Sequence, residues 1–409
     1  MKIFSFVHSL LVACGLALPL SFSFKAECLD WYRWRGPNLN GASTEKGWST
    51  AWPKEGPTQL WKAAVGIGFS SMSVQDGRVF TLGNKNETDT VYCLDTKTGK
   101  ILWTHSYPCP LDVQYYEGGT SSTPTIDGNN VFTLSKRGHL FCFEAGSGKI
   151  VWQKNIQEEL DLKKPRWGFA GSPLVEGDWL ILNAGSAGTA LQKTTGKVVW
   201  TSGQEAAGYA SPMPFGAGDR RGVAIFAAKA LVGVNLADGR ELWRQKWLTQ
   251  WDINIADPII AGDALFVSTF DQGCALLQTS SGNLSTVWQN RNMANHFSSC
   301  VLVDGHLYGF DGNTDKPGPE FRCLDFKTGA LRWAQPGLGL GALMAADGKL
   351  IVLAEKGELI VAEATPAAFK PIARAQVLGG KCWTTPVLSN GKIYCRNSKG
   401  DLVCLDVKE

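Results

Sequence analysis

Hydrophobic and polar residues alternate along this chain in short stretches interrupted by glycine-containing turns, the pattern of half-buried β-strands. The run "SSMSVQDGRVFTLGNKNETDTVYCLDTKTGKILW", residues 70–103, predicts four strands: Ser70–Val74, Arg78–Leu82, Thr90–Asp95 and Lys100–Trp103. Asp76-Gly77 supplies the first turn and Lys97-Thr98-Gly99 the last. The last hairpin is then written again and again. "TGKILW" ends at Trp103, "SGKIVW" at Trp152, "TGKVVW" at Trp200, "DGRELW" at Trp243 and "TGALRW" at Trp333. With Trp61 and Trp288 included, successive tryptophans lie 42, 49, 48, 43, 45 and 45 residues apart. An eighth copy, "PIARAQV" at 371–377, lacks the tryptophan. Four-stranded units at this period are propeller blades.

The reading is therefore an all-β, eight-bladed β-propeller of four-stranded blades. Its last copy, "TTPVLSNGKIYCRNSKGDLVCLDV", supplies three strands, and the missing one is available in "GPTQLWKAAV" at 56–65. Pairing that N-terminal strand with the last three closes the ring and removes an exposed edge. Each repeated glycine provides a turn, and Trp61, Trp103, Trp152, Trp200, Trp243, Trp288 and Trp333 are expected to dock one blade on a neighbour.

Aligning the innermost strands puts Ser71, Thr123, Ser172, Ser211, Asp257, Ser299, Ala342 and Thr385 at one position, five of them followed by proline. Proline lacks a ladder donor and suits an edge strand facing a central channel, so these hydroxyls are expected to line it. Two residues earlier come Phe69, Ser121, Ala170, Tyr209, Ile255, Phe297, Leu340 and Trp383, expected to ring one mouth of the channel. The preceding loops add Tyr115, Tyr116, Glu117, Arg166, Trp167, Asp252, Asn254, His296 and Lys381. Aromatic groups with scattered charges suit a small-molecule or peptide site, and they also suit simple packing of the mouth.

The charge balance, 40 basic against 37 acidic residues with no basic block, excludes a nucleic-acid backbone binder. "MKIFSFVHSLLVACGLALPLSFSF" reads as a secretory signal peptide, residues 1–23, cleaved after Ser23. "LVAC" ending at Cys14 leaves lipid anchoring open. No other apolar run is long enough to span a bilayer, so the chain is expected to be exported, periplasmic or secreted. Residues 24–55 form a segment before the propeller, which takes 56–409. Its "WRGP" motif either straps the propeller or offers Arg33 and Arg35 as a binding surface. Of 11 cysteines, Cys93, Cys142, Cys323 and Cys404 share one repeat position and read as small core residues; Cys395 with Cys404 and Cys28 with Cys109 are the pairs worth testing as disulfides.

Established catalytic patterns are missing: no H-E-x-x-H, G-x-S-x-G, P-loop or C-x-x-C occurs. His296 stands without a visible second metal ligand, and Asp257 replaces a hydroxyl in an otherwise neutral ring, where a capped structural carboxylate competes with a general base. No catalytic or metal residue is assigned.

The strand-"LD"-"TGK"-hydrophobic-Trp blade resembles the pyrroloquinoline-quinone (PQQ) repeat of quinoprotein alcohol dehydrogenases and of the outer-membrane β-barrel assembly propeller lipoprotein. "WYRWRGPNLNGAS" at 31–43 and "WGFAGSPLVEGDWL" at 167–180 look like a group of exported PQQ-like propellers, chiefly from planctomycetes. The resemblance implies the propeller fold over essentially the whole mature chain. It carries the cofactor weakly: the adjacent cysteine pair of the dehydrogenases is missing, and no residues match their calcium-binding Glu and Asn with catalytic Asp. Two functions follow. One is a monomeric, non-catalytic binding or scaffold protein of the cell envelope, engaging a protein, peptide or glycan through Phe69, Tyr116, Glu117, Arg166, Trp167, Tyr209, Asp252, Asn254, Asp257, His296, Phe297, Lys381 and Trp383, with no cofactor. The alternative is a periplasmic alcohol or sugar dehydrogenase that holds PQQ and calcium near Trp383, Arg166 and Asp257.

Overall fold

The repeated turn-and-tryptophan hexapeptide closes the outer hairpin of a blade. The computed structural model describes Met1 and residues 29–216, 221–280, 283–313 and 318–409; the leader, Cys14 and Cys28 lie outside these. Blade 1 consists of Ser73–Gln75, Arg78–Asn84, Thr88–Asp95 and Ile101–Pro108, antiparallel in chain order. Blades 2 to 7 repeat this over 125–155, 174–201, 213–246, 259–290, 301–336 and 342–376. Blade 8 joins Val387–Ser389, Lys392–Arg396 and Asp401–Asp406 to Gln59–Ala64, so the ring closes as the sequence predicts.

The tryptophans bridge the blades. The Nε1 of Trp61, Trp103, Trp152, Trp200, Trp288 and Trp333 donates to a carbonyl of the next blade's outer turn, at 2.9–3.1 Å. The turn glycine of that next blade lies under the ring: a methyl group at Gly99 would sit 2.6 Å from Trp61, and one at Gly239 2.5 Å from Trp200. Both glycines adopt positive φ, so one residue serves the turn and the indole contact. Trp243 is the exception, its Nε1 buried without a partner among the described residues. In blade 7, Ala373 pairs where a tryptophan stands in other blades, and Gly56 comes against its neighbour Ala375 instead.

The inner strand of blade 1 is shorter than predicted. Blade 1 begins at Ser73 because the preceding backbone is committed to blade 2: Phe69 and Ser70 donate to the Thr120 carbonyl, and Ser71 donates to Thr123 Oγ1. That last bond recurs around the channel. Thr123 N–H donates to Ser172 Oγ, Ser172 to Ser211 Oγ, Ser211 to Asp257 Oδ1 and Asp257 to Ser299 Oγ. Ser71 Oγ donates to the Thr385 carbonyl, while Ala342 has no hydroxyl to offer. The aligned hydroxyls thus tie the inner strands to one another circumferentially.

Residues 29–43 cross the end of the channel opposite these mouth loops and touch every blade. Trp31 pairs with Val74, Ile126 N–H donates to Tyr32, Arg33 donates to the Val175 carbonyl, and Leu39 packs with Met213. Trp34 donates to Asp257, Arg35 to the Cys300 carbonyl, Ala345 N–H to Gly41, and Ser389 to the Leu29 carbonyl. Ala42–Ser43 adds a parallel fifth strand to blade 7. The two arginines are therefore occupied by backbone carbonyls, with Arg33 also paired to Glu176, and Arg35 is fully buried.

Every cysteine among the described residues is buried and free. Cys395 and Cys404 are not joined: Cys395 lies opposite Val403, and Cys404 opposite Tyr394. Adjacent strand positions point to opposite faces, which keeps the two sulfurs apart.

One buried carboxylate sets a pH dependence. Asp89 is fully buried, accepts from Asn84 Nδ2 at 2.7 Å, and lies beside the buried Cys109 thiol. Burial pushes its pKa from 3.8 to about 6. A carboxyl with a raised folded-state pKa binds its proton more tightly when folded, so its contribution to stability declines as pH rises from about 4 to about 6. Asp89→Asn is expected to flatten the stability profile across that window and to gain most, relative to wild type, above it. Urea unfolding at several pH values measures this; parallel wild-type and variant profiles would contradict it.

Candidate functional site

The mouth loops open onto a cavity of about 660 Å³ on the channel axis. Its walls come from the residues that enter each inner strand: Phe69, Ser121, Ala170, Tyr209, Ile255, Phe297 and Trp383 all line it, leaving out only buried Leu340 of the predicted ring. Ser172, Ser211, Asp257, Ser299 and Thr385 of the hydroxyl ring line it further along the strands, and Trp34 reaches it from the opposite end.

One wall is a continuous aromatic stack. Phe270 lies 4.6 Å from His296, His296 3.8 Å from Phe297, Phe297 4.1 Å from Trp383 and Trp383 5.7 Å from Phe69, all near parallel, and Tyr116 meets Phe69 edge-on. The facing wall places Trp167 edge-on to Tyr209, with the Arg166 guanidinium 5.1 Å from the Trp167 ring and 4.6 Å from Trp251. This arrangement ties the loop before blade 3 to the loop before blade 5. Trp251 and Asp252 have φ of 66° and 57°, a conformation that costs non-glycine residues about 1–3 kcal/mol each.

The charged groups of the lining are partnered. Asp257 accepts from Trp34 Nε1 at 2.6 Å, Ser211 N–H at 2.7 Å and Ser299 Oγ at 3.1 Å, and its charge offsets the burial of Arg35. Glu355 accepts from Trp383 Nε1 and from Leu340 N–H. Lys381 lies 4.3 Å over Trp383 and pairs with Glu117 at 3.0 Å. Burial raises the Glu117 pKa, but hydrogen bonds from Lys381 and Ser398 outweigh it and leave the group below its usual range. Burial pushes the phenols of Tyr116 and Tyr209 up to about 12, so both stay protonated at neutral pH.

Of the sequence candidates, Phe69, Tyr116, Arg166, Trp167, Tyr209, Asp257, His296, Phe297, Lys381 and Trp383 meet at this cavity. Glu117 stands behind Lys381. Asp252 is outside the lining, and Asn254 is fully buried, its amide donating to the Ala227 and Ala228 carbonyls. Sequence reasoning missed Trp34, Gln250, Trp251, Phe270, Asn313 and Glu355. Gln250 and Trp251 adjoin a loop already singled out. Phe270, Asn313 and Glu355 occupy hairpins between the second and third strands, which an alignment on the first strand does not reach.

A family model described as outer membrane protein assembly factor BamB matches residues 42–112 and 87–335. The chain belongs to this PQQ-repeat, BamB-like family. No curated protein matches the chain in sequence. Solved structures share the BamB-like propeller at low identity. BamB from Moraxella catarrhalis is 15% identical, with a TM-score of 0.63, over 86% of this chain and 99% of that one. Quinohemoprotein alcohol dehydrogenase from Comamonas testosteroni is 13% identical, with a TM-score of 0.68, over 93% and 80%. A europium-containing methanol dehydrogenase is 12% identical, with a TM-score of 0.68, over 92% and 89%. These likenesses establish the fold, which hosts an assembly factor and enzymes alike. No helix among the described residues is long and apolar enough to cross a membrane.

Proposed function

We propose that this BamB-like propeller is an exported, non-catalytic binding protein of the cell envelope, delivered by the leader at residues 1–23, that seats its ligand or partner in the cavity mouth. The observation that carries this reading is the distribution of exposed large apolar side chains. Apart from Met1, those of the described residues fall in two places: the outer strands of the blades, and the mouth loops, through Val113, Tyr115, Leu248 and Trp251. Tyr115 and Trp251 are 90% and 57% exposed and stand at the rim of a deep pocket, where exposed apolar surface marks recognition.

PQQ is a planar tricarboxylate, and calcium in such a site needs clustered oxygen ligands. The lining offers Arg166, held between two indoles, and Lys381, paired with Glu117. Asp257 already accepts three hydrogen bonds, and the described residues hold no group of three or more His, Cys, Asp or Glu that could bind a metal. Trp383 and Phe297 stack on each other, leaving no slot between them for a third ring. These contacts speak against the cofactor.

A photo-crosslinking amino acid at position 115 or 251 tests the binding reading. Adducts with envelope material are expected at both positions, with none at position 372 on the outer strand of blade 7. Equal labelling at all three positions, or none, would remove the proposal. The purified protein is also expected not to reduce an artificial electron acceptor when supplied with PQQ, calcium and a panel of alcohols and sugars.

A further inference from the structure

The mouth cavity has a composition that narrows what it can hold, and the inference below rests on the binding function proposed for it. Of its 27 lining residues, three are aliphatic: Ala170, Ile253 and Ile255. The rest are mainly aromatic rings and neutral hydroxyl or amide groups. The four charged members, Arg166, Asp257, Glu355 and Lys381, are each engaged with protein groups. We infer that the ligand is a neutral saccharide, an oligosaccharide chain whose end enters the cavity.

Three features of a sugar meet these surfaces. Its C–H groups are attracted to aromatic π-faces, and the exposed rim rings of Tyr115 and Trp251 offer aromatic surface without demanding a fully apolar guest. Its hydroxyls both donate and accept. Ser172 and Ser211 each accept one backbone N–H, and among the described residues neither donates to a protein group, so each hydroxyl keeps a proton to offer into the cavity. Its neutrality avoids any need for an uncommitted counter-charge. A peptide anchored by apolar side chains would seek the aliphatic surface this cavity lacks, and an anionic guest would have to break Lys381 from Glu117 or Arg166 from its indoles.

The rim extends the platform outward. Trp251 is exposed, held in a strained backbone conformation and braced by Arg166 on one face. Tyr115, also of positive φ, stands on the loop between blades 1 and 2, so a chain longer than one sugar would meet aromatic groups at two places on the rim.

The test is a titration of the full mature protein with neutral glucan, xylan, mannan and chitin hexasaccharides, followed by calorimetry and tryptophan fluorescence. An array of apolar-aromatic peptides is titrated in parallel. At least one hexasaccharide is expected to bind saturably, with a dissociation constant on the order of 0.1–1 mM and little change with salt. Trp251→Ala and Tyr115→Ala, both rim positions, should weaken binding about tenfold; Tyr115→Ala should leave the melting temperature unchanged, and Trp251→Ala should lower it only by the loss of the Arg166 contact. Peptide binding at the mouth with no hexasaccharide bound would overturn the saccharide assignment and keep the binding function. Binding of neither class, together with no crosslinks at positions 115 and 251, would overturn both. Saccharide binding untouched by either substitution would place the site elsewhere and overturn the assignment.

Discussion

Arg396→Met should destabilise the propeller by about 3–5 kcal/mol, the cost of removing one partner from a buried charged network. Arg396 is fully buried on the second strand of blade 8, and among the described residues its guanidinium donates only to blade 1 and the segment leading into it. Its Nη1 donates to the Ser70 carbonyl at 2.7 Å, Thr81 Oγ1 at 2.8 Å and the Leu82 carbonyl at 2.6 Å; Nη2 donates to the Gly66 carbonyl at 3.0 Å. No carboxylate among the described residues pairs with it, so three carbonyls and the Thr81 hydroxyl compensate its charge. Burial lowers its pKa to about 9, and it is still protonated at neutral pH. Methionine fills much of the volume but leaves several buried acceptors without donors, each worth about 1–3 kcal/mol. The loss falls on the seam between blade 8 and blade 1, where Arg396 clamps the segment that leads from the N-terminal strand of blade 8 into blade 1. Arg396→Lys keeps the charge but not the planar fork, and should recover part of the loss. Equilibrium urea unfolding reads both variants, and a cost below about 1 kcal/mol for Arg396→Met, the range of a surface change, would show that the guanidinium does not hold the seam.

Arg396 also shows how far the sequence could be read. The blade repeat, the closure and the tryptophan docking were legible because they are periodic: eight copies report one geometry, and a single odd residue does not disturb the pattern. The site is what breaks the repeat. Asp257 was found because it replaces a hydroxyl in an aligned ring, and Trp383 because it stands in an aligned aromatic ring. Arg396 stands where blades 1, 2 and 7 carry Leu82, Leu134 and Leu353, and the same comparison applied to the second strand would have exposed it. Trp34 had no such route. Its segment has no repeat partner, and its position depends on crossing all eight blades, a long-range outcome that no local pattern encodes. Asn254 failed in the opposite way. A polar residue in a mouth loop looks like a ligand contact, but the loop's buried carbonyls needed a donor, and its amide supplies one.

Trp200→Ala should cost about 3–5 kcal/mol, as for other large-to-small changes in well-packed sites. Trp200 is 8% exposed, packs in the cluster shared by blades 3 and 4, and donates to the Leu236 carbonyl at 3.0 Å. Trp200→Phe keeps part of the apolar contact and loses that donor, so it should cost less. The glycine opposite supplies a sharper test. Gly239 has φ of +71°, and a methyl group there would lie 2.5 Å from Trp200 Cδ2. Gly239→Ala therefore pays backbone strain and a ring clash together, about 2–4 kcal/mol. Only the clash depends on Trp200. In the Trp200→Ala background the same glycine change should cost less, by a coupling of about 1–3 kcal/mol, while its backbone part persists. Costs that add to within about 0.5 kcal/mol would mean that indole and glycine act independently. Coupling would explain why the chain repeats the turn and the tryptophan together: the residue that makes each turn also makes the surface on which the preceding blade's indole rests.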